Sequence, residues 1–120
     1  MKKIAIIDDE KDIISILKQL FDRNGKYVIE SFTNPKNALD ISLKGEFDLI
    51  LLDIMMPQMN GIDFLKKLKT SSCETKVVIM TAYATKEKIA KCESNGADDF
   101  ITKPFPSLKL LEEKVTNLLE

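Results

Sequence analysis

Five times along this chain a short, apolar, β-rich run gives way to a segment whose apolar residues recur at helical spacing. No other feature constrains the fold as strongly. The first run, Lys3–Ile7, stops at Asp8-Asp9-Glu10. Ile13, Ile16, Leu17, Leu20 and Phe21 follow at i, i+3, i+4, i+7 and i+8, and Asn24-Gly25 supplies a C-terminal stop. Tyr27–Phe32 reads as a second strand, Asn34-Pro35 as an N-cap with proline at the first helical position, and Gly45 as the end of that helix. Asp48–Leu52 and Lys76–Met80 are continuous apolar runs, expected of strands covered on both faces. Between them a loop from Met55 to Gly61 leads into a stripe of Ile62, Leu65 and Leu68. Thr85–Asn95 is helical but weakly apolar, with only Ile89, Ala90 and Cys92. Asp99–Thr102 is the fifth strand, and Ser107 caps a last helix whose Leu108, Leu111, Val115 and Leu118 should face inward.

Five such units imply an α/β fold, a parallel sheet wound on both faces with right-handed crossovers. A length of 120 residues suits one domain, residues 1–120, with a core that needs no disulfide or metal. No apolar run approaches the length of a membrane span, and acids arrive too early for a signal peptide. Cys73 and Cys92 lack the spacing of a disulfide framework, which suits a reducing cytoplasm. The sequence contains no histidine, which excludes a Ser-His-Asp triad, an HExxH zinc site and a histidine general base. With 18 basic and 19 acidic side chains, and the lysines dispersed, the chain has no footprint for direct nucleic-acid binding.

In a parallel sheet of this kind the carboxyl ends of all strands share one edge, and that edge hosts the site. Asp8, Asp9, Asp53, Thr81 and Lys103 each stand just past a strand and should gather there. Taken singly, each has an ordinary role: acids at a helix start, a turn residue, a strand-ending hydroxyl, a surface cation. Together they have a chemistry. Clustered carboxylates repel one another unless a cation intervenes, and hard oxygen ligands with few protein carboxylates suit Mg²⁺. A lysine and a hydroxyl at the same edge can take phosphoryl oxygens while a carboxylate attacks.

Four blocks carry a family resemblance: Asp8-Asp9, Leu51-Leu52-Asp53-Ile54-Met55-Met56-Pro57 with Gly61, Met80-Thr81-Ala82, and Lys103-Pro104-Phe105. Over its whole length the chain resembles the response-regulator receiver domains of bacterial two-component systems. It looks most like the stand-alone sporulation-phosphorelay and chemotaxis-type regulators. The resemblance implies a flavodoxin-like sheet in the order 2-1-3-4-5 with five helices. It implies that Asp53 is the phosphoacceptor and that Asp8, Asp9, Asp53 and the backbone carbonyl of Met55 hold Mg²⁺, with Mn²⁺ able to substitute. Thr81 and Lys103 then receive the phosphoryl oxygens, and Lys103–Pro104 resembles the family's cis peptide.

By the same resemblance Thr81 and Phe100 form the switch. Where receivers often carry tyrosine, Phe100 has no hydroxyl, and it is equally readable as simple core. Tyr83 is a candidate gate over Asp53. The output surface is the fourth helix, fifth strand and fifth helix, read by a downstream protein or an output domain. The donor is a sensor histidine kinase or histidine phosphotransferase, because this chain has no histidine of its own. The first helix carries an apolar arc wider than the roughly 100° a core-facing stripe needs, and Ile13 beside the site is the candidate docking residue. A weak homodimer and a place at the head of a longer DNA-binding regulator are both compatible with the resemblance.

Two other chemistries fit the sequence less well. A Mg²⁺-dependent aspartyl-phosphate phosphatase, like the haloacid-dehalogenase group, would carry Asp-x-Asp, but residue 55 is Met and no cap domain is present. A flavodoxin-like cofactor carrier would need a hydroxyl- and glycine-rich phosphate loop where this chain has Asp8-Asp9-Glu10. The chain is therefore expected to be a signalling receiver that catalyses only its own phosphorylation and dephosphorylation.

Overall fold

Side chains alternate across a strand, so a strand with helices on both faces must be apolar at every position. A computed structural model, describing residues 1–71 and 74–120, shows how the chain uses this. In chain order the elements are β1 (Lys2–Ile7), α1 (Lys11–Asn24), β2 (Tyr27–Phe32), α2 (Pro35–Ser42), β3 (Leu49–Asp53), α3 (Gly61–Thr70), β4 (Lys76–Thr81), α4 (Lys86–Ser94), β5 (Asp99–Thr102) and α5 (Leu108–Leu119). The five strands form one sheet in the order β2-β1-β3-β4-β5, all pairs parallel. The fold class and strand order are those expected from the sequence.

One apolar cluster takes Ala5, Ile7, Ile50, Leu52, Val77 and Ile79 from the strands and covers them with residues of α2, α3 and α4. The other takes the alternate residues Ile4, Ile6, Leu49, Leu51, Val78 and Met80 and covers them with α1 and α5. Every residue of β3 is buried as a result. Gly25 ends α1 in the left-handed conformation at φ 67°, which costs glycine no Cβ clash. Asn34 and Ser107 cap α2 and α5, accepting from the N–H groups of Lys36 and Leu110 at 2.9 and 3.1 Å.

Three expectations are corrected. The wide apolar arc of α1 is exposed in part, but at Ile16, 42% exposed, rather than at Ile13, which is half-buried against the stripe of Ile14, Leu17, Leu20 and Phe21. Leu108, at the first turn of α5, is also exposed, lining an open groove with residues of α1. Helix α2 ends at Ser42 rather than at Gly45, because its last turn tightens into i→i−3 bonds from Lys44 to Ile41 and from Gly45 to Ser42. Cys92 is a buried free thiol whose pKa is pushed up by burial and by Glu93. Cys73 lies outside the described residues. No helix among the described residues is long and apolar enough to cross a membrane.

Candidate acidic site at the strand ends

The carboxyl ends of β1, β3, β4 and β5 meet at one edge, and the side chains there are set by local hydrogen bonding. Asp8 follows β1, yet its N–H still pairs with the Phe32 carbonyl at 3.1 Å, so the ladder holds it in place. It is fully buried, and its Oδ1 turns back to accept the Glu10 N–H at 2.9 Å. That bond forms the entry to α1, whose N-cap residue Glu10 makes no side-chain cap of its own. Asp9 is exposed.

Asp53 is the last residue of β3 and is buried. Its Oδ1 accepts the Met55 N–H at 3.1 Å, while the exposed Met55 side chain lies outside the pocket. The loop closes where the Gly61 N–H meets the Ile54 carbonyl at 3.2 Å and Asn60 caps α3. A Cβ on Gly61 would overlap the Ile54 Cα and come within 2.8 Å of the Asp53 carbonyl oxygen. The glycine therefore permits the close approach of α3 to the strand end carrying Asp53. Gly61→Ala should cost about 1–3 kcal/mol of stability as overpacking. A lowered urea midpoint at unchanged slope is the expected readout, and an unchanged midpoint would refute the close-packing argument.

Carboxylate oxygens of Asp8, Asp9 and Asp53 lie within 4.8 Å of one another. Lys103, with its side chain only 9% exposed, reaches in from beyond β5 and places its Nζ 2.6 Å from Asp8 Oδ2 and 3.5 Å from Asp53 Oδ2. The Lys103–Pro104 peptide is cis, as the sequence resemblance implied. Thr81 ends β4 in register with Thr102, and its carbonyl accepts the Lys103 N–H at 2.8 Å. Its Oγ1 accepts from Tyr83 N–H at 3.0 Å, which leaves the hydroxyl proton for donation. All five residues singled out from the sequence thus share this edge. Phe100 stands behind it, half-buried against the core, with the Lys114 ammonium 5.7 Å from its ring centre. Tyr83 is 61% exposed beneath the Lys88 ammonium.

The electrostatics are unbalanced. Burial pushes Asp53 up to about 6; the Met55 N–H and Lys103 oppose that rise, and the neighbouring Asp8 and Asp9 charges add to it. Burial draws Lys103 down, but its hydrogen bond to Asp8 and the fields of Asp53, Asp8 and Glu10 outweigh burial and hold it above its ordinary value. One ammonium faces three carboxylates, so the donor set fits a hard divalent cation. The backbone anchors of the site, namely Glu10 N–H on Asp8 and the close approach of Gly61, were not deduced from the sequence. The only sequence signal for them was the glycine placed eight residues after Asp53.

Comparison with known proteins gives a consistent result. The family model described as the response regulator receiver domain matches residues 4–115. The response regulator SaeR of Staphylococcus aureus is 34% identical over 119 residues, covering 99% of this chain and 51% of SaeR. The chain therefore spans about half the length of the curated relatives it matches. Among solved structures, the Francisella response regulator 1452 receiver domain aligns at a TM-score of 0.90 and 33% identity, covering 99% of this chain and 97% of that one. The Vibrio cholerae chemotaxis protein CheY4 aligns at 0.88 and 26%, covering 99% of each chain.

Proposed function

Since the chain belongs to the response regulator receiver domain family, signalling modules of two-component systems, we propose that Asp53 is its phosphoacceptor. The observation that carries this reading is the convergence of three carboxylates, one lysine and one threonine hydroxyl around the end of β3. Asp8, Asp9, Asp53 and the Met55 carbonyl would hold Mg²⁺. Bound there, the ion neutralises the carboxylates and the phosphoryl oxygens that approach them. Below its pKa of about 6 Asp53 is protonated and a poor nucleophile, whereas at neutral pH its carboxylate is free to attack.

The donor is a phosphohistidine on a sensor histidine kinase or a histidine phosphotransferase. An Asp53 carboxylate oxygen forms a bond to phosphorus while the phosphorus–nitrogen bond breaks, and the donor's imidazole nitrogen keeps the electron pair and takes a proton. Lys103 and the Thr81 hydroxyl each hold a phosphoryl oxygen as charge builds on it. Drawn toward the phosphoryl group, Thr81 leaves space that Phe100 can enter, beside a void of about 10 Å³ that both residues line. The change leaves through α4, β5 and α5, toward a separate protein or an attached output domain, with residues 1–120 acting as one receiver in the cytoplasm.

Incubation with acetyl phosphate and Mg²⁺ should add the mass of one phosphoryl group, labile to hydroxylamine, and none in EDTA. A protein that stays unmodified in Mg²⁺ would refute the reading. Donor docking has a separate test. Ile13 sits half-buried at the site end of α1, with exposed Ile16 one turn further on, so a donor helix meets both. Ile13→Ala should slow transfer from a phosphohistidine donor about tenfold and spare acetyl phosphate. Equal slowing of both reactions would contradict docking there.

A further inference from the structure

Helix α4 is secured very differently at its two ends. At the N-terminal end the Thr85 side chain accepts the Lys88 N–H at 3.2 Å, and Lys88 lies over the exposed ring of Tyr83. Only Cys92 in the whole helix is buried, so the first turns of α4 bring no buried side chain to the sheet, and Lys88, Ile89 and Cys92 line a small void of about 10 Å³ together with Thr81 and Phe100. At the C-terminal end Gly96 takes φ +104°, and the Lys69 side chain from α3 runs directly over it. A Cβ there would lie 2.9, 3.1 and 3.2 Å from Lys69 Cγ, Cδ and Cε, so any larger residue would have to displace the lysine stem as well as adopt a backbone conformation that favours glycine.

The ammonium at the tip of that stem makes two further ties. Lys69 Nζ donates to the Thr75 carbonyl at 2.8 Å and stands 3.6 Å from Asp98 Oδ2. Asp98 in turn exchanges two bonds with Val77: its N–H donates to the Val77 carbonyl at 2.8 Å, and its Oδ2 accepts the Val77 N–H at 2.8 Å. Lys69 therefore joins α3, the segment entering β4, and the segment linking α4 to β5. Nothing comparable holds the end of α4 beside Thr81 among the described residues.

We infer that Lys69 is a positioning residue that straps the C-terminal end of α4 down, so that α4 pivots at Gly96 and its N-terminal turns swing with Thr81. This deepens the phosphoacceptor reading and rests on it for the input that moves Thr81. A helix released at both ends would shift without passing the displacement on in a defined direction. A helix held at one end converts the same push into a tilt, which opens the space above Cys92.

The test uses the full chain with Cys73→Ser, which leaves Cys92 as the sole thiol, and compares it with added Lys69→Met and Lys69→Arg. Mg²⁺ with beryllofluoride serves as the phosphoryl mimic. In the reference protein the mimic should change hydrogen exchange across 83–89 by about fivefold or more and leave 94–98 within about twofold. Maleimide labelling of Cys92 should rise about threefold on its addition. In Lys69→Met, 94–98 should exchange about tenfold faster even without the mimic, and the response of Cys92 should fall below about twofold. Lys69→Arg should restore both. The inference is overturned if Lys69→Met matches the reference at 94–98, keeps the full Cys92 response, or is indistinguishable from Lys69→Arg. If the reference takes no phosphoryl group from acetyl phosphate, the phosphoacceptor reading fails, and the resting exchange at 94–98 still decides whether Lys69 is the strap.

Discussion

Lys103→Met should cost the metal-free protein about 3–5 kcal/mol at neutral pH and slow uptake of phosphate from acetyl phosphate about a hundredfold. Lys103 is nearly enclosed and lies 2.6 Å from the fully buried Asp8, so its removal strands a charge that solvent cannot reach. Its pKa is held above the ordinary 10.5, so the stability it contributes is fully present below that value and is lost only as pH rises through the elevated one. Asp53 can respond to the loss by staying protonated to a higher pH, whereas Asp8 keeps its Glu10 N–H alone. The loss should therefore be smaller at pH 5 than at pH 7, and saturating Mg²⁺ should recover part of it at pH 7. A chemical-denaturation series at the two pH values reads all three quantities. A loss below 1 kcal/mol at pH 7 would mean that the pair is solvated, contrary to the enclosure seen here.

The second large effect is the response to pH and metal together. Asp53 is raised from 3.8 to about 6, the reverse of a salt-bridged carboxylate. Between those values the folded protein binds a proton that the unfolded chain has already released, so metal-free stability falls as pH rises from about 4 to about 6. A shift of about two units corresponds to roughly 2–3 kcal/mol. A divalent cation competes with that proton. Mg²⁺ affinity should fall about tenfold per pH unit below 6 and level off above it. The rise in Tm on adding Mg²⁺ should accordingly be large at pH 7.5 and small at pH 5. Asp53→Asn should abolish the pH 4–6 decline of the metal-free protein. A Tm increment independent of pH would show that the cation binds elsewhere.

Much of this molecule is legible in its sequence because the strongest signals are local. The runs Leu49–Leu52 and Val77–Met80 have no period, and a strand can be apolar throughout only if both its faces are covered. Asn34, Gly25 and Ser107 act through bonds to residues two or three positions away, so their roles follow from position alone. The site residues were found by a topological rule: parallel strands bring their carboxyl ends to one edge, and Asp8, Asp53, Thr81 and Lys103 all stand there. The hidden parts depend on distances across the fold. Ile16 and Leu108 fit an apolar pattern, yet both stay exposed along an open groove between α1 and α5. Gly45 signals a stop, but α2 tightens before reaching it. Gly61 stood in a motif without its reason, which is the Ile54 backbone it presses against. The Lys69–Gly96–Asp98 clamp joins residues from separate elements and leaves no local pattern at all.

Asp8, Asp9 and Asp53 are proposed to share one divalent cation, with Asp53, within that cluster, accepting the phosphoryl group. The most direct test is peptide-resolved mass spectrometry after brief exposure to acetyl phosphate, in Mg²⁺ and in EDTA, for the natural sequence, Asp53→Asn and Asp9→Asn. A single phosphoryl group is expected on the peptide containing Asp53 in Mg²⁺. None should appear in EDTA or in Asp53→Asn, and the yield should fall at least about tenfold in Asp9→Asn. A phosphoryl group on any other residue, or equal yield with and without the metal, would contradict this assignment.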